Sequence, residues 1–249
     1  MKKHLSVLML FVRSAIFKVF GLFAVMSAVE LLLFRRTLNS VDLSQLTYKY
    51  AGHTGQGLEY IIKDSYLIVV LGITYILLTV ILLKNCNGAG KQVYTFQRLS
   101  ISEHEVFAWQ AVCNTGFYFL LWAVQAALVL VMSAIYMKTA SEDITSGQTV
   151  FLAFYRSRFI HNLIPLEQIW RWIRNICVML GLGVSSAYTS YVHRHDGRNY
   201  LILIMMAGML FFFVEINNEI CDALLILISL LQPVLVLSEL RREGSYEAR

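Results

Sequence analysis

Long apolar runs alternate with short polar segments along this chain, and the pattern predicts helices that cross a membrane. An α-helix needs about 20 apolar residues to cross the hydrocarbon layer, which is roughly 30 Å thick. Arg35 and Arg36 close the first run, and Lys84 closes the second. The third run is unusually long, so we expect its helix to tilt or to project beyond the bilayer. We predict six spans, at about 14–34, 65–83, 106–136, 173–192, 200–216 and 220–237.

The first residues, MKKHLSVLMLFVRSAIFKVFG, begin like a signal peptide. Arg13 and Lys18 interrupt the apolar region, however, and no small-x-small cleavage site follows promptly. We therefore expect the segment to be retained as an interfacial helix that leads into the first span. Four apolar residues would share one face of that helix: Leu5, Leu8, Met9 and Val12.

A polar segment, GKQVYTFQRLSISEHEVFAWQ, separates the second and third spans. Ser102 and Glu105 fit a capping box, so the third helix should begin at about Glu103. Before it, residues 91–99 form a separate short amphipathic helix in this interpretation. Its apolar side chains suit either the lipid headgroups or a groove on a soluble partner.

Two further segments, 35–64 and 137–172, lie on the opposite side of the membrane in this topology. The second is rich in aromatic residues and arginines. Pro165 fits the first turn of a helix in which Glu167 and Arg171 would pair. A surface helix is the plainer interpretation, and arginines that contact a substrate are the alternative. Two aromatic residues suit the membrane interface: Trp170 and Trp172.

Composition supports a membrane protein. The 249 residues are 57% hydrophobic and only 15% charged, and the mean hydropathy is +0.61. The net charge of +5 comes from scattered basic residues, so it does not predict nucleic-acid binding. The four cysteines form no CxxC pair and no histidine lies at ligand spacing, so we expect no disulfide framework, metal or cofactor.

A few polar residues lie inside the predicted spans. Glu30 is an intramembrane acid near Arg35, and a structural role is the favoured interpretation. Gln125, in the middle of the third span, lines a translocation path or bridges two helices. Gly181 and Ser185 form a small-xxx-small pair that predicts close helix packing.

Two clusters resemble cation sites. Glu215, Glu219 and Asp222 surround the turn between the last two spans, where a solvated turn is more common than a site for a hard cation. His193 and His195 have no convincing third ligand, so a basic loop is the plain interpretation.

Enzymatic motifs are weak. The segment from Gly88 to Lys91 lacks the first glycine and the final Ser or Thr of a phosphate-binding loop. The run from Gly183 to Ser186 is faintly similar to the serine motif of rhomboid proteases, but no histidine lies inside the fifth or sixth span. We therefore expect no catalytic activity in this chain.

The order of these features resembles the membrane subunit of type-2 ABC exporters. The likeness is carried by KQVYTFQRLSISEHEVFAWQ, in which a basic-aromatic helix, a short link and an acidic span start follow in order, and by the outer segment AFYRSRFIHNLIPL. In size and topology the chain is similar to short bacterial permeases encoded beside a separate ATPase, such as the lantibiotic-immunity permeases.

This resemblance implies that 91–99 is the coupling helix, seated in a cleft of a cytoplasmic ATPase. It implies two ATPase subunits per complex and a second permease, identical or homologous, in a bacterial plasma membrane. The substrate would be a peptide or another amphiphilic compound. The alternative is an anchor or regulatory subunit that transports nothing. The expected contacts with the ATPase are Lys91, Val93, Tyr94, Phe96, Arg98 and Leu99.

The distribution of basic residues favours cytoplasmic termini only slightly. With both termini inside, 12 of the 21 Lys and Arg residues lie in or near the cytoplasm: Lys2, Lys3, Arg13, Lys18, Lys84, Lys91, Arg98, Arg194, Arg198, Arg241, Arg242 and Arg249.

Overall fold

The computed structural model describes residues 2–40, 56–86, 103–139, 147–194, 201–214 and 219–247. The elements in these ranges are all helices, which confirms the predicted all-α class. In chain order they are α1 (Lys2–Ser40), α2 (Gln56–Asp64), α3 (Leu67–Cys86), α4 (Glu103–Thr139), α5 (Gly147–Arg156), α6 (Arg158–Leu163), α7 (Ile169–Arg194), α8 (Leu201–Val214) and α9 (Glu219–Glu247).

Four of the described helices are long and apolar enough to cross a membrane. α7 has 26 residues but is more polar, and α8 has 14 described residues. The protein is therefore a helical membrane-embedded chain with four candidate spans in its described part. Those spans are Phe11–Ser40, Leu67–Lys84, His104–Thr139 and Glu219–Ser238.

The N-terminal segment forms one continuous helix with the first span. α1 runs from Lys2 to Ser40 without a break. Arg13 and Lys18 point outward from the helix and do not end it. The hydroxyl of Ser14 donates to the backbone oxygen of Phe11 at 3.0 Å, within the helix itself. At the start of α4 the prediction is confirmed, since that helix begins at Glu103.

α7 occupies the centre of the bundle, where it packs against α3, α4, α8 and α9. α1 packs against α3 and α4 on one side. Contacts fix the helix directions. Glu30 meets Gln125, so the C-terminal halves of α1 and α4 lie together, whereas Val236 of α9 lies with Ala111 near the start of α4. The end of α9 therefore lies beside the start of α4.

The short helices α2, α5 and α6 cover the opposite end. Trp122 of α4 donates its indole N–H to the backbone oxygen of Leu163 at 3.1 Å, which attaches α6 to the bundle. α2 packs against α5 and α1. We refer to this end, formed by 56–64 and 147–163, as the short-helix end.

Apolar side chains cover the outside of the bundle. Phe17 of α1 is 84% exposed and Val234 of α9 is 62% exposed. A water-soluble protein rarely exposes so continuous an apolar surface, whereas lipid solvates it without cost. Other exposed apolar residues on the same two helices include Phe20, Val25, Leu32, Ile220, Leu227, Leu230 and Leu237.

Candidate functional site

A group of polar side chains lies inside the bundle where α4, α7 and α9 meet. Asn114 of α4 donates its side-chain N–H to the hydroxyl of Ser186 on α7 at 2.8 Å, and both residues are buried. Since a membrane interior holds no water to satisfy such groups, this bond links α4 to α7. We call the following buried residues the polar layer: Gln110, Asn114, Ser185, Ser186, Ser190, Ser229 and Gln232.

The polar layer continues from α7 to α9. The hydroxyl of Ser185 lies 2.6 Å from the backbone oxygen of Gly181 and also contacts the side-chain oxygen of Gln232. Ser229 lies one turn before Gln232 on α9, and its buried hydroxyl has no hydrogen-bond partner in the described part of the chain. At the α7–α9 contact, the Ser185 hydroxyl therefore has hydrogen-bond partners, whereas the Ser229 hydroxyl has none among the described residues.

Gln110 is the least satisfied member of the polar layer. It is completely buried, and neither its amide nitrogen nor its amide oxygen has a partner among the described residues. It lies four residues before Asn114, on the same face of α4. A buried amide without partners costs about 1–3 kcal/mol, which a bound polar molecule would recover.

Small residues let these helices approach closely, as the small-xxx-small pattern predicts. A Cβ atom added to Gly181 would lie 2.7 Å from Met205 Cε and 3.3 Å from Ser229 Cβ. A Cβ added to Gly183 would lie 2.8 Å from Thr115 Cα. At Gly183, α7 thus approaches the backbone of α4 at a separation that only glycine allows, whereas at Gly181 the flexible end of Met205 could move to admit a methyl group.

A charged cluster lies at the short-helix end of α7 and α9. Arg174 Nη1 lies 2.6 Å from Asp222 Oδ1, and Arg171 Nε lies 3.7 Å from Asp222 Oδ2. Arg174 also donates to Asn175 Oδ1 at 3.0 Å and to Asn162 Oδ1 at 3.4 Å. All five side chains are buried, so we call them the buried charge cluster.

The predicted pair of Glu167 and Arg171 is wrong. α7 begins at Ile169, so Glu167 precedes the helix and is exposed. Arg171 instead turns inward towards Asp222. Sequence spacing identified only Glu167, the acid nearby in the chain. The acid that Arg171 contacts in the protein interior is Asp222 of α9.

Asp222, from the predicted acidic cluster, lies neither in a solvated turn nor in a cation site. Asp222 is buried between two arginines, which occupy the place of a cation, and Glu219 is exposed. Glu215 lies outside the described residues. The described residues contain no group of three His, Cys, Asp or Glu side chains that suits a metal ion. His193 is exposed, and His195 lies outside the described residues.

A groove of about 430 Å³ runs along α9 beside the buried charge cluster. Glu219 and the ion-paired Asp222 form its polar end, and apolar side chains form its wall. Trp170, at the start of α7, is 71% exposed and lines this groove. The groove lining is completed by Gln168, Ala223, Ile226, Leu227 and Leu230.

Gln125 lies away from the polar layer, in a contact between α1 and α4. It donates its side-chain N–H to Glu30 Oε2 at 2.8 Å, and both residues are completely buried. Gln125 therefore bridges two helices, which was one of its two predicted roles. No ion pair joins Glu30 to another residue in the described part of the chain.

The six predicted ATPase contacts, from Lys91 to Leu99, lie outside the described residues.

Sequence reasoning missed several residues that the structure brings together, namely Gln110, Asn114, Gln232, Arg174 and Asn162. A signal for some of them existed. Gln110, Asn114 and Tyr118 recur every four residues within an apolar run, and polar side chains in a span usually face a protein interior. No local pattern connects Asn162 with Arg174.

His161, on α6, lies beside the buried charge cluster. Its ring packs edge-on against Tyr155 with centroids 5.8 Å apart, and its Nδ1 has no hydrogen-bond partner in the described part of the chain. Partial burial lowers the pKa of His161 below its usual 6.5, and the positive charges of Arg171 and Arg174 lower it further, although Glu167 opposes them.

We expect His161 to make the protein less stable in mild acid. Because its pKa is lower in the folded state, the unfolded chain binds the proton first, so the stability is complete above about pH 6.5 and falls as the pH drops through that value. The measurement is the unfolding midpoint in detergent between pH 5 and 8, for the parent and for His161→Gln. The variant should lose part of this acid sensitivity. His193→Gln, at an exposed position, is the control and should keep it.

Comparisons with protein-family models, with curated proteins and with solved structures give no match for this chain.

Proposed function

We propose that this chain is the membrane subunit of an ATP-driven exporter of the ABC type-2 class. In this proposal α7 and α8 also cross the membrane, which makes six crossings with both termini in the cytoplasm. The chain forms half of the translocation path and binds a separate ATPase through the coupling helix at 91–99. The exported compound is a peptide or another amphiphile.

The observation that carries the proposal is the polar layer. An anchor needs only apolar helices, whereas a path for an amphiphile needs polar groups inside the bundle and an apolar surface outside it. Gln110 and Ser229 have buried polar atoms that find no partner among the described residues, and these are suited to a polar group in transit. The groove beside Trp170, with a polar end and an apolar wall, suits the same class of compound.

The alternative is a membrane anchor or regulatory subunit without a path. The bond between Asn114 and Ser186 favours it, because a direct interhelical bond stabilises packing and needs no substrate. The two functions differ in their partners. An exporter subunit requires an ATPase in a fixed ratio, and an anchor does not.

The test is purification of the tagged chain from its native host in mild detergent, followed by native mass spectrometry. We expect an ABC ATPase, with two ATPase subunits and two permeases in each complex. A chain that emerges stable and without an ATPase in several mild detergents would exclude the exporter and leave the anchor.

Phe96→Ala should weaken this assembly. An aromatic side chain that fills a pocket at an interface contributes about 2 kcal/mol or more, so we expect at least a ~10-fold loss of ATPase affinity. The measurement is the amount of ATPase that co-purifies per permease, together with the ATP hydrolysis that it supports. Thr95→Ala, on the polar side of the same predicted helix, should retain the ATPase. Equal recovery with both variants would show that Phe96 is not a contact.

A further inference from the structure

Glu30 and Gln125 each have one side-chain oxygen with no hydrogen-bond partner among the described residues. The amide nitrogen of Gln125 donates to Glu30 Oε2 at 2.8 Å. The two remaining oxygens, Glu30 Oε1 and Gln125 Oε1, are both buried and both lack a donor in the described part of the chain. An ionised carboxylate has only acceptors to offer, so it cannot satisfy the second oxygen.

One added proton satisfies both atoms. A neutral carboxylic acid carries an O–H group, and its hydrogen from Glu30 Oε1 can be donated to Gln125 Oε1. The acid and the amide would then exchange two hydrogen bonds, one in each direction. The proton comes from water and returns to water, and no other bond changes.

The surroundings favour the neutral acid. Glu30 and Gln125 are both completely buried, and an unpaired carboxylate in such a place is very costly. The cations nearest to Glu30 along α1, Arg35 and Arg36, are exposed. On the elements packed against α1, Glu59 of α2 is partly exposed and Lys63 and Asp64 are exposed, while Tyr75 of α3 is occupied with Met179 and Tyr118.

We propose that Glu30 and Gln125 form a proton-binding site inside the membrane, with Glu30 held as a neutral carboxylic acid that donates its hydrogen to Gln125. The site joins α1 to α4, so separating these helices would expose Glu30 and release the proton. The site requires only the folded, membrane-embedded chain, and it does not depend on the proposed ATPase or on transport.

Infrared spectroscopy of the purified protein in lipid tests this directly. A neutral carboxyl group absorbs at a higher frequency than a carboxylate, and glutamate labelled with ¹³C at the side chain separates Glu bands from Asp bands. At pH 7 we expect one neutral Glu band, and we expect Glu30→Gln to lack it. Gln125→Leu should shift the band to higher frequency, because the acid carbonyl loses its donor. Gln110→Leu, which removes a buried glutamine elsewhere on α4, should leave it unchanged.

The spectrum of the labelled parent protein decides the matter even if a variant fails to fold. Absence of a neutral Glu band at pH 7 would overturn the proposal. A carboxylate band together with an unfolding midpoint that rises in NaCl but not in choline chloride would also overturn it, in favour of a sodium site. A neutral band that Gln125→Leu does not shift would refute the pairing with Gln125.

Discussion

Replacing Asp222 with alanine should lower the free energy of unfolding by about 3–5 kcal/mol. Asp222 is buried with both oxygens near arginines, at 2.6 Å from Arg174 Nη1 and 3.7 Å from Arg171 Nε. Removing the acid leaves two positive charges in the protein interior, where the side chains of Asn162 and Asn175 are the remaining hydrogen-bond partners of Arg174 among the described residues. The loss is large because two arginines stay buried without a counter-charge. The cost of burying such unpaired cations exceeds the net stabilisation that the intact ion pair provides. The measurement is unfolding by SDS in mixed micelles, followed by circular dichroism.

Glu219→Ala is the matched control. Glu219 is an acid three residues earlier on α9, but it is exposed and has no ion pair within the described residues. Its replacement should change the stability by less than about 0.5 kcal/mol. A second test is the double variant Asp222→Ala with Arg174→Met. It should recover part of the loss, because it buries one cation fewer. Equal effects of the Asp222 and Glu219 substitutions would show that Asp222 is not buried with the arginines.

The lipid-facing helices were predictable because their signal is local. A run of apolar residues of the right length and a basic stop are both visible within about 20 residues of sequence, and they locate 11–40, 67–84, 104–139 and 219–238. The start of α4 at Glu103 was predictable for the same reason, since a capping box involves residues only three apart.

The continuous course of α1 through Arg13 and Lys18 was not evident from the sequence, because two rules conflict there. Arg13 and Lys18 break the apolar pattern, and the pattern alone suggests a boundary. A helix tolerates both side chains, however, if they point outward and their long stems reach the membrane surface. The helix then continues from Lys2 to Ser40.

The buried charge cluster and the polar layer depend on residues far apart in the chain. Asp222 and Arg174 are separated by 48 positions, and Asn114 and Ser186 by 72. Sequence spacing shows which residues share a helix face, as with Gln110 and Asn114, but it does not show which faces meet. The prediction that Glu167 pairs with Arg171 failed for this reason, since a neighbour at helical spacing competes with a distant acid that is buried.

The central position of α7 makes Gly183 the most sensitive packing position. A Cβ added there would clash with Thr115 Oγ1 and would lie 2.8 Å from Thr115 Cα. The hydroxyl can rotate away, but the Cα belongs to the backbone of α4, so the two helices must separate. Gly183→Ala should therefore reduce the stability by about 1–3 kcal/mol, as overpacking does in other interiors. The same SDS titration measures the loss.

Two other variants separate crowding from the change in helix propensity. Gly116→Ala adds the same methyl group to α4, where nothing lies within 4 Å of the new atom. It should be neutral or stabilising by up to about 1 kcal/mol, because alanine favours a helix. Thr115→Ala combined with Gly183→Ala removes the contact with Oγ1 but keeps the 2.8 Å contact with Cα, so it should restore only part of the stability. Full restoration would place the strain in the threonine side chain, and a Gly183→Ala protein as stable as Gly116→Ala would contradict the close approach of α4 and α7.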